Sequence, residues 1–171
     1  GSVLTVTASY TDGQGGAESV TSVGTSVVVN VNDAPIGSVT ISGTAVEDGV
    51  LTAANTLTDE DVLGTIIYTW SNGDTGETTT LGQSDVGSAL TVTASYTDGQ
   101  GGAESVTSVG TSVVVNVNDE PIGSVTISGT AVEDGVLTAV NTLTDEDVLG
   151  TISYSWSKGD TGATTTLGQS D

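Results

Sequence analysis

Oxygen donors gather in short clusters along this chain. Asp59-Glu60-Asp61 and its copy Asp145-Glu146-Asp147, Glu47-Asp48, Asp85 and Asp98 supply carboxylates. Two runs add side-chain amides: Asn30, Asn32 and Asp33, then Asn116, Asn118 and Asp119. Carboxylates, amides and backbone carbonyls on flexible turns are the ligand set of calcium. Magnesium holds its waters and seldom fills an all-protein cage. Zinc prefers His and Cys, and the sequence has neither. The EF-hand loop with its closing Glu is absent. Taken singly, each cluster reads as a solvated turn or a polar linker. Together they face a charge problem, because 22 acidic residues are set against one basic side chain, Lys158, for a net charge of −21. Carboxylates that converge without counter-ions repel one another, so they either stay apart in water or share a cation.

The same charge excludes whole classes of partner. A polyanionic surface repels nucleic acid and anionic membranes. No apolar run reaches the length of a membrane span. Without Cys there is no disulfide framework and no thiolate nucleophile. Without His the commonest general base is missing, and Gly13-Gln14-Gly15-Gly16 joins two strands where a nucleotide loop would open a helix. Isopeptide cross-linking needs a lysine in each unit, and Lys158 is the sole one. The expected role is non-enzymatic.

The elements that must position the acids are strands. Leu4-Thr5-Val6-Thr7-Ala8-Ser9-Tyr10 and Val39-Thr40-Ile41-Ser42 alternate with period two, and Val27-Val28-Val29 and Ile66-Ile67-Tyr68-Thr69-Trp70 are β-branched or aromatic runs. Asp-Gly and Asn-Gly pairs punctuate them. No helical period is present, so the class is all-β.

The chain also reads twice. Residues 1–85 recur as 87–171, offset by 86, with seven differences, among them Ile67/Ser153, Thr69/Ser155 and Asn72/Lys158. Near-identity that extends to loops suits a tandem array better than a catalytic site built from distinct groups. Pro35 and Pro121 each follow an Asn-Asp pair and block continued strand pairing, which marks them as linkers. One complete unit therefore spans 34–119. Residues 1–33 are the last two strands (F and G) of a preceding unit, and 120–171 the first five (A–E) of a following one. Within the complete unit seven strands are expected, at 38–42, 50–57, 65–71, near 74–76, 77–81, 89–96 and 104–117. A lone Trp on the third, Trp70, and Tyr96 on the sixth fit an immunoglobulin-like β-sandwich. In that sandwich Asp59, Glu60, Asp61 and Asp98 share one pole with the incoming linker. Glu47, Asp48, Asp74 and Asp85 share the other with the outgoing linker. Ile67 and Thr69 should face solvent, with Tyr68 and Trp70 inward.

Val29 to Pro35, Ile41-Ser42-Gly43-Thr44-Ala45, Leu57-Thr58-Asp59-Glu60-Asp61, Ile67-Tyr68-Thr69-Trp70 and Thr93 to Gly101 resemble the tandem immunoglobulin-like, cadherin-like repeats of giant bacterial adhesins. That family includes the RTX-type adhesins exported by type I secretion. Asn32-Asp33-x-Pro35 is also similar to the calcium-binding linker of cadherins. The chain departs from the family in a short segment after Trp70 and in Glu60 and Glu146 between paired aspartates. The resemblance implies an extracellular, bacterial-surface extender stiffened by Ca2+, whose partners are neighbouring repeats of the same chain. Two other roles stay open. Incomplete end units could complement between identical chains in a fibre, or exposed aromatics could bind carbohydrate or protein.

Overall fold

The computed structural model describes residues 1–170, and the chain is all-β with several small antiparallel sheets. The alternating segments expected from the sequence form its strands. In the middle of the chain β3 (Val39–Ser42), β4 (Val50–Asn55) and β6 (Thr78–Thr80) make one three-stranded sheet, in the order β3-β4-β6. A second sheet is built from β5 (Ile67–Trp70), β7 (Val92–Thr97) and β8 (Ala103–Thr107), in the order β5-β7-β8. The register follows the hydrophobic pattern, as it must where one face is buried. Leu51 and Ala53 from the first sheet meet Trp70, Val92, Ala94 and Tyr96 from the second in one core cluster. Two sheets sharing a core in this way are compatible with a β-sandwich. Trp70 is 2% exposed, and its indole Nε1 donates to the Gly76 carbonyl at 3.0 Å, which satisfies the one polar atom that its burial would strand. Along β5, Ile67 and Thr69 are exposed, Tyr68 is half-buried and Trp70 is buried.

Two segments differ from the sequence reading. The short strand expected near 74–76 is a single antiparallel bridge, Thr69 to Thr75, closing a tight turn back onto β5. The last strand, expected as one run over 104–117, is interrupted after Thr107. Its continuation keeps antiparallel bonds to the preceding strand, with Ser108 N donating to Val92 O and Thr111 N to Leu90 O. It then switches partner. Val46 and Val115 form a parallel bridge, with Glu47 N donating to Val115 O at 2.9 Å and Val115 N to Ala45 O at 3.1 Å. A run that serves two partners in opposite senses cannot be seen in a period-two pattern.

On either side lie partial copies. β1 (Thr7–Thr11) and β2 (Ala17–Thr21) form a two-stranded hairpin. β9 (Val125–Ser128), β10 (Val136–Asn141) and β11 (Thr164–Thr166) form a sheet that copies β3-β4-β6. The copies share sequence but not burial. Leu90 is 1% exposed and its counterpart Leu4 60%; Val92 is 0% and Val6 71%.

That contrast makes a matched pair of substitutions. Leu90→Ala should cost about 2–5 kcal/mol through lost transfer energy and a residual cavity. Leu4→Ala, in the same local sequence but for Val3 in place of Ala89, should stay within about 0.5 kcal/mol. Chemical denaturation of dilute protein followed by circular dichroism reads both.

Candidate metal centre at the junction between repeats

The site assembles where the second linker leaves the central unit. The parallel bridge at Val115 delivers the chain beside the turn that follows Ala45. Asp48 adopts φ +59 in that turn, a left-handed conformation that short polar Asp tolerates, and its N–H donates to Leu81 O. The turn points the preceding side chain, Glu47, inward to 3% exposure. Its carboxylate accepts from the Val117 N–H at 3.0 Å. The amide nitrogen of Gln83, in the orientation that satisfies its neighbours, lies 2.6 and 3.1 Å from the two Glu47 oxygens and 3.0 Å from Asn116 Oδ1.

The linker then meets the next unit. Asp119 N donates to Asp147 Oδ2 at 2.9 Å, and Asn116 Nδ2 donates to Asp147 Oδ1 at 2.7 Å. Asp145 holds the far turn by accepting from the Asp147 N–H at 3.0 Å, while Asn118 Nδ2 donates to the Asp119 carbonyl at 3.0 Å. One carboxylate oxygen from each of Glu47, Asp119 and Asp147 lies within 4.8 Å of the others. Three segments thus contribute one charge each: the central unit, the linker and the following unit.

Three like charges this close are costly. At about 5 Å and an effective dielectric of ~20, each pair repels by roughly 3 kcal/mol. Lys158 does not offset this, since its ammonium pairs with Asp160 at 3.3 Å on another turn. The donors are all oxygen, with flanking amides and no soft ligand, and that set could hold a hard cation. Glu47, Asp119 and Asp147 would hold it.

The first junction repeats half of this arrangement. Asp33 N donates to Asp61 Oδ2 at 2.9 Å, as Asp119 does to Asp147. Asp98 folds its own loop, with Oδ1 accepting from Gln100 N at 2.8 Å and Gly102 N at 2.7 Å. Its Oδ2 is buried without a hydrogen-bond partner among the described residues. That oxygen and Asn32 Oδ1 crowd the same spot beside Gly102. A Cβ there would lie 2.5 and 2.1 Å from them, so any larger residue would push these side-chain oxygens aside. Two acceptors sharing one spot with no proton between them is a cation-compatible geometry.

Other candidates are spent elsewhere. Asp59 uses both oxygens structurally, Oδ1 on Asp61 N at 2.8 Å and Oδ2 on the Tyr96 hydroxyl at 2.5 Å. Asp85 is buried and caps its own 3-10 turn (Gln83–Asp85) by accepting from Gly82 N at 3.0 Å. Asp74 accepts from Asn72 in its own turn and from Thr79 on β6. Asn30, Asp48 and Glu60 are exposed, outside these contacts. Sequence reasoning missed Gln83 and Glu104. Glu104 faces Tyr96 across the β7–β8 hairpin and accepts from Asn32 Nδ2 at 2.7 Å. That hairpin register could have been counted from the Asp-Gly turn; nothing in the sequence marked Gln83.

The loop that carries Asp59 and Asp61 is strained in both copies. Val62 and Val148 sit at φ +74 and +73, a region hostile to β-branched side chains. Gly99 N donates to both Asp61 O and Val62 O, at 2.8 and 3.0 Å, which clamps the first of these turns against the β7–β8 loop. Strain of this kind, on the order of 1–3 kcal/mol, persists where surrounding contacts over-determine the backbone. Compared with known proteins, the chain matches no family, no curated protein and no solved structure.

Tyr96 gives this region a pH signature. Burial, then hydrogen bonding to Asp59 and the nearby carboxylates, pushes its phenol well above the ordinary value. Since the folded value is the higher one, its contribution to stability is complete below about pH 10 and is lost as pH rises through the folded value. Thermal midpoints should therefore fall above about pH 10, and Tyr96→Phe should make that fall shallower.

Proposed function

We propose that this chain is a non-enzymatic structural segment of an extracellular bacterial adhesin or surface fibre, a run of immunoglobulin-like, cadherin-like repeats stiffened by calcium. The observation that carries this reading is the convergence of Glu47, Asp119 and Asp147 from two units and the linker between them. Without a cation the three carboxylates repel and the linker bends. With Ca2+ bound, one ion ties both units to the linker and the junction straightens. The near-identical repeats support a role as length, with each unit adding one segment. The aromatics favour this reading over a carbohydrate-binding module, because Trp70 and Tyr96 are buried at 2% and 5% exposure and offer no platform.

Thermal unfolding of the whole chain in Ca2+, then in chelator with Mg2+, tests the proposal. A ligand that binds only the folded form at a hundred times its Kd adds about 2.7 kcal/mol, so the midpoint should rise with Ca2+ alone. Asp147→Asn should remove most of that rise, while Glu60→Gln on the exposed side of its loop should leave it intact. A midpoint indifferent to Ca2+ would sink the reading.

A further inference from the structure

The one basic side chain of this protein marks a site in the unit that lacks it. Lys158 of the following unit stands where the central unit has Asn72. Its ammonium donates to the Thr166 carbonyl and pairs with Asp160 at 3.3 Å. The counterparts of those two acceptors, Thr80 and Asp74, keep the same frame in the central unit. Thr79 donates to Asp74 as Thr165 does to Asp160. Trp70 Nε1 and Trp156 Nε1 each close the turn on a glycine carbonyl at 3.0 Å. Thr80 lies opposite Val50 as Thr166 lies opposite Val136. Both copies therefore build the same acceptors, and one of them supplies its own ammonium to fill them.

In the central unit these acceptors line an open cleft of about 470 Å³, walled by Asn72, Asp74, Thr80, Ser84, Asp85 and Ser88 among others. All of its lining comes from residues 71–90, within the one complete unit. Asp85 is 8% exposed, so one wall is a buried carboxylate, whose Oδ2 accepts from Gly82 N at 3.0 Å. The Asn72 amide reaches Asp74 Oδ2 at 3.4 Å and brings no charge. We infer that this cleft binds a primary ammonium group, carried by a small organic amine or by a lysine side chain of a partner polypeptide. Asp74 and the Thr80 carbonyl are its acceptors, as Asp160 and Thr166 are for Lys158, and Asp85 is the buried negative wall. An ammonium suits them because it is a compact charge with three N–H donors and no acceptor. Size decides against a bare ion, since the cleft falls within the roughly 300–1,000 Å³ of small-molecule sites. Ala89 and Leu90 line the rest of it and give an alkyl stem an apolar surface to lie on. The site shares no residue with the Glu47, Asp119 and Asp147 group.

Amide NMR of the whole chain, titrated with n-butylammonium chloride at constant ionic strength, reads the binding. The amides of Gly82, Ser84 and Ser88 should shift and saturate with a Kd of about 1–10 mM, the range left to one partly exposed ion pair. Butanol, with the same stem and no charge, should leave them unmoved. Tetramethylammonium, with the charge and no N–H, should bind at least about tenfold more weakly. Asn72→Lys copies the following unit into the central one and should abolish binding by filling the cleft from within. Its fold is safeguarded, because the following unit already closes the same turn around a lysine. Asp74→Asn should weaken binding by about tenfold or more, whereas Glu60→Gln on an exposed loop should not change it. A capped Gly-Lys-Gly peptide that binds more tightly than butylammonium assigns the ammonium to a partner's lysine; weaker binding assigns it to a free amine, and either supports the site. Shifts that grow without saturating and spread over acids throughout the chain would overturn the proposal as charge screening. So would binding that Asn72→Lys leaves intact. Displacement of the amine by stoichiometric Ca2+ would overturn it too, by making the cleft a metal site.

Discussion

The parallel pairing of Val46 with Val115 is where the fold and the junction meet. Upstream of it, the chain is committed to a shared core through the antiparallel bonds of Ser108 and Thr111. Downstream, the chain enters the linker already aligned beside Glu47, whose N–H is used in the pairing and whose carboxylate caps Val117 two residues further on. A linker anchored this way leaves the unit in a fixed direction. The direction delivers Asp119 to Asp147. Without that one bridge the acids at this pole would be ordinary surface charges, free to separate in water.

A second consequence follows from the charge balance. With 22 acids and one lysine, the chain cannot neutralise a carboxylate cluster from its own side chains. It manages most of its acids individually instead. Asp98 and Asp59 fold turns by accepting backbone N–H groups, and Asp85 caps a 3-10 turn. Such bonds to ionised acceptors are strong and need no cation. The Glu47, Asp119 and Asp147 group also accepts N–H bonds, yet its geometry still presses three carboxylates together. That residue of unbalanced charge is what separates a candidate metal centre from an acidic surface.

The repeats serve as their own control for burial. Val39 and Val125 share their immediate neighbours in sequence, and Leu90 and Leu4 do so except for Ala89 against Val3, yet they differ in whether the other half of a unit is present. For want of its partner strand the copy of β5 at 153–156 keeps one bridge, Ser155 to Thr161, whereas the hairpins and turns local to one half form in both settings. The core does not, because it requires surface from segments far apart in the chain.

Much was legible in the residues themselves. The period of 86, the alternation that became strands, and the inward Tyr68 and Trp70 on β5 all follow from patterns local to a few residues. What composition and spacing did not fix is which acids meet. Asp85 and Asp59 had the same standing in the sequence as Glu47 and Asp147, yet the fold turns the first pair to structural bonds and the second toward the junction. Gln83 joins Glu47 only because the turn before β7 packs under it. These contacts span tens of residues, 28 from Asp119 to Asp147 and 70 from Glu47 to Val117. They depend on how two sheets close over one core, and only the tertiary structure decides that.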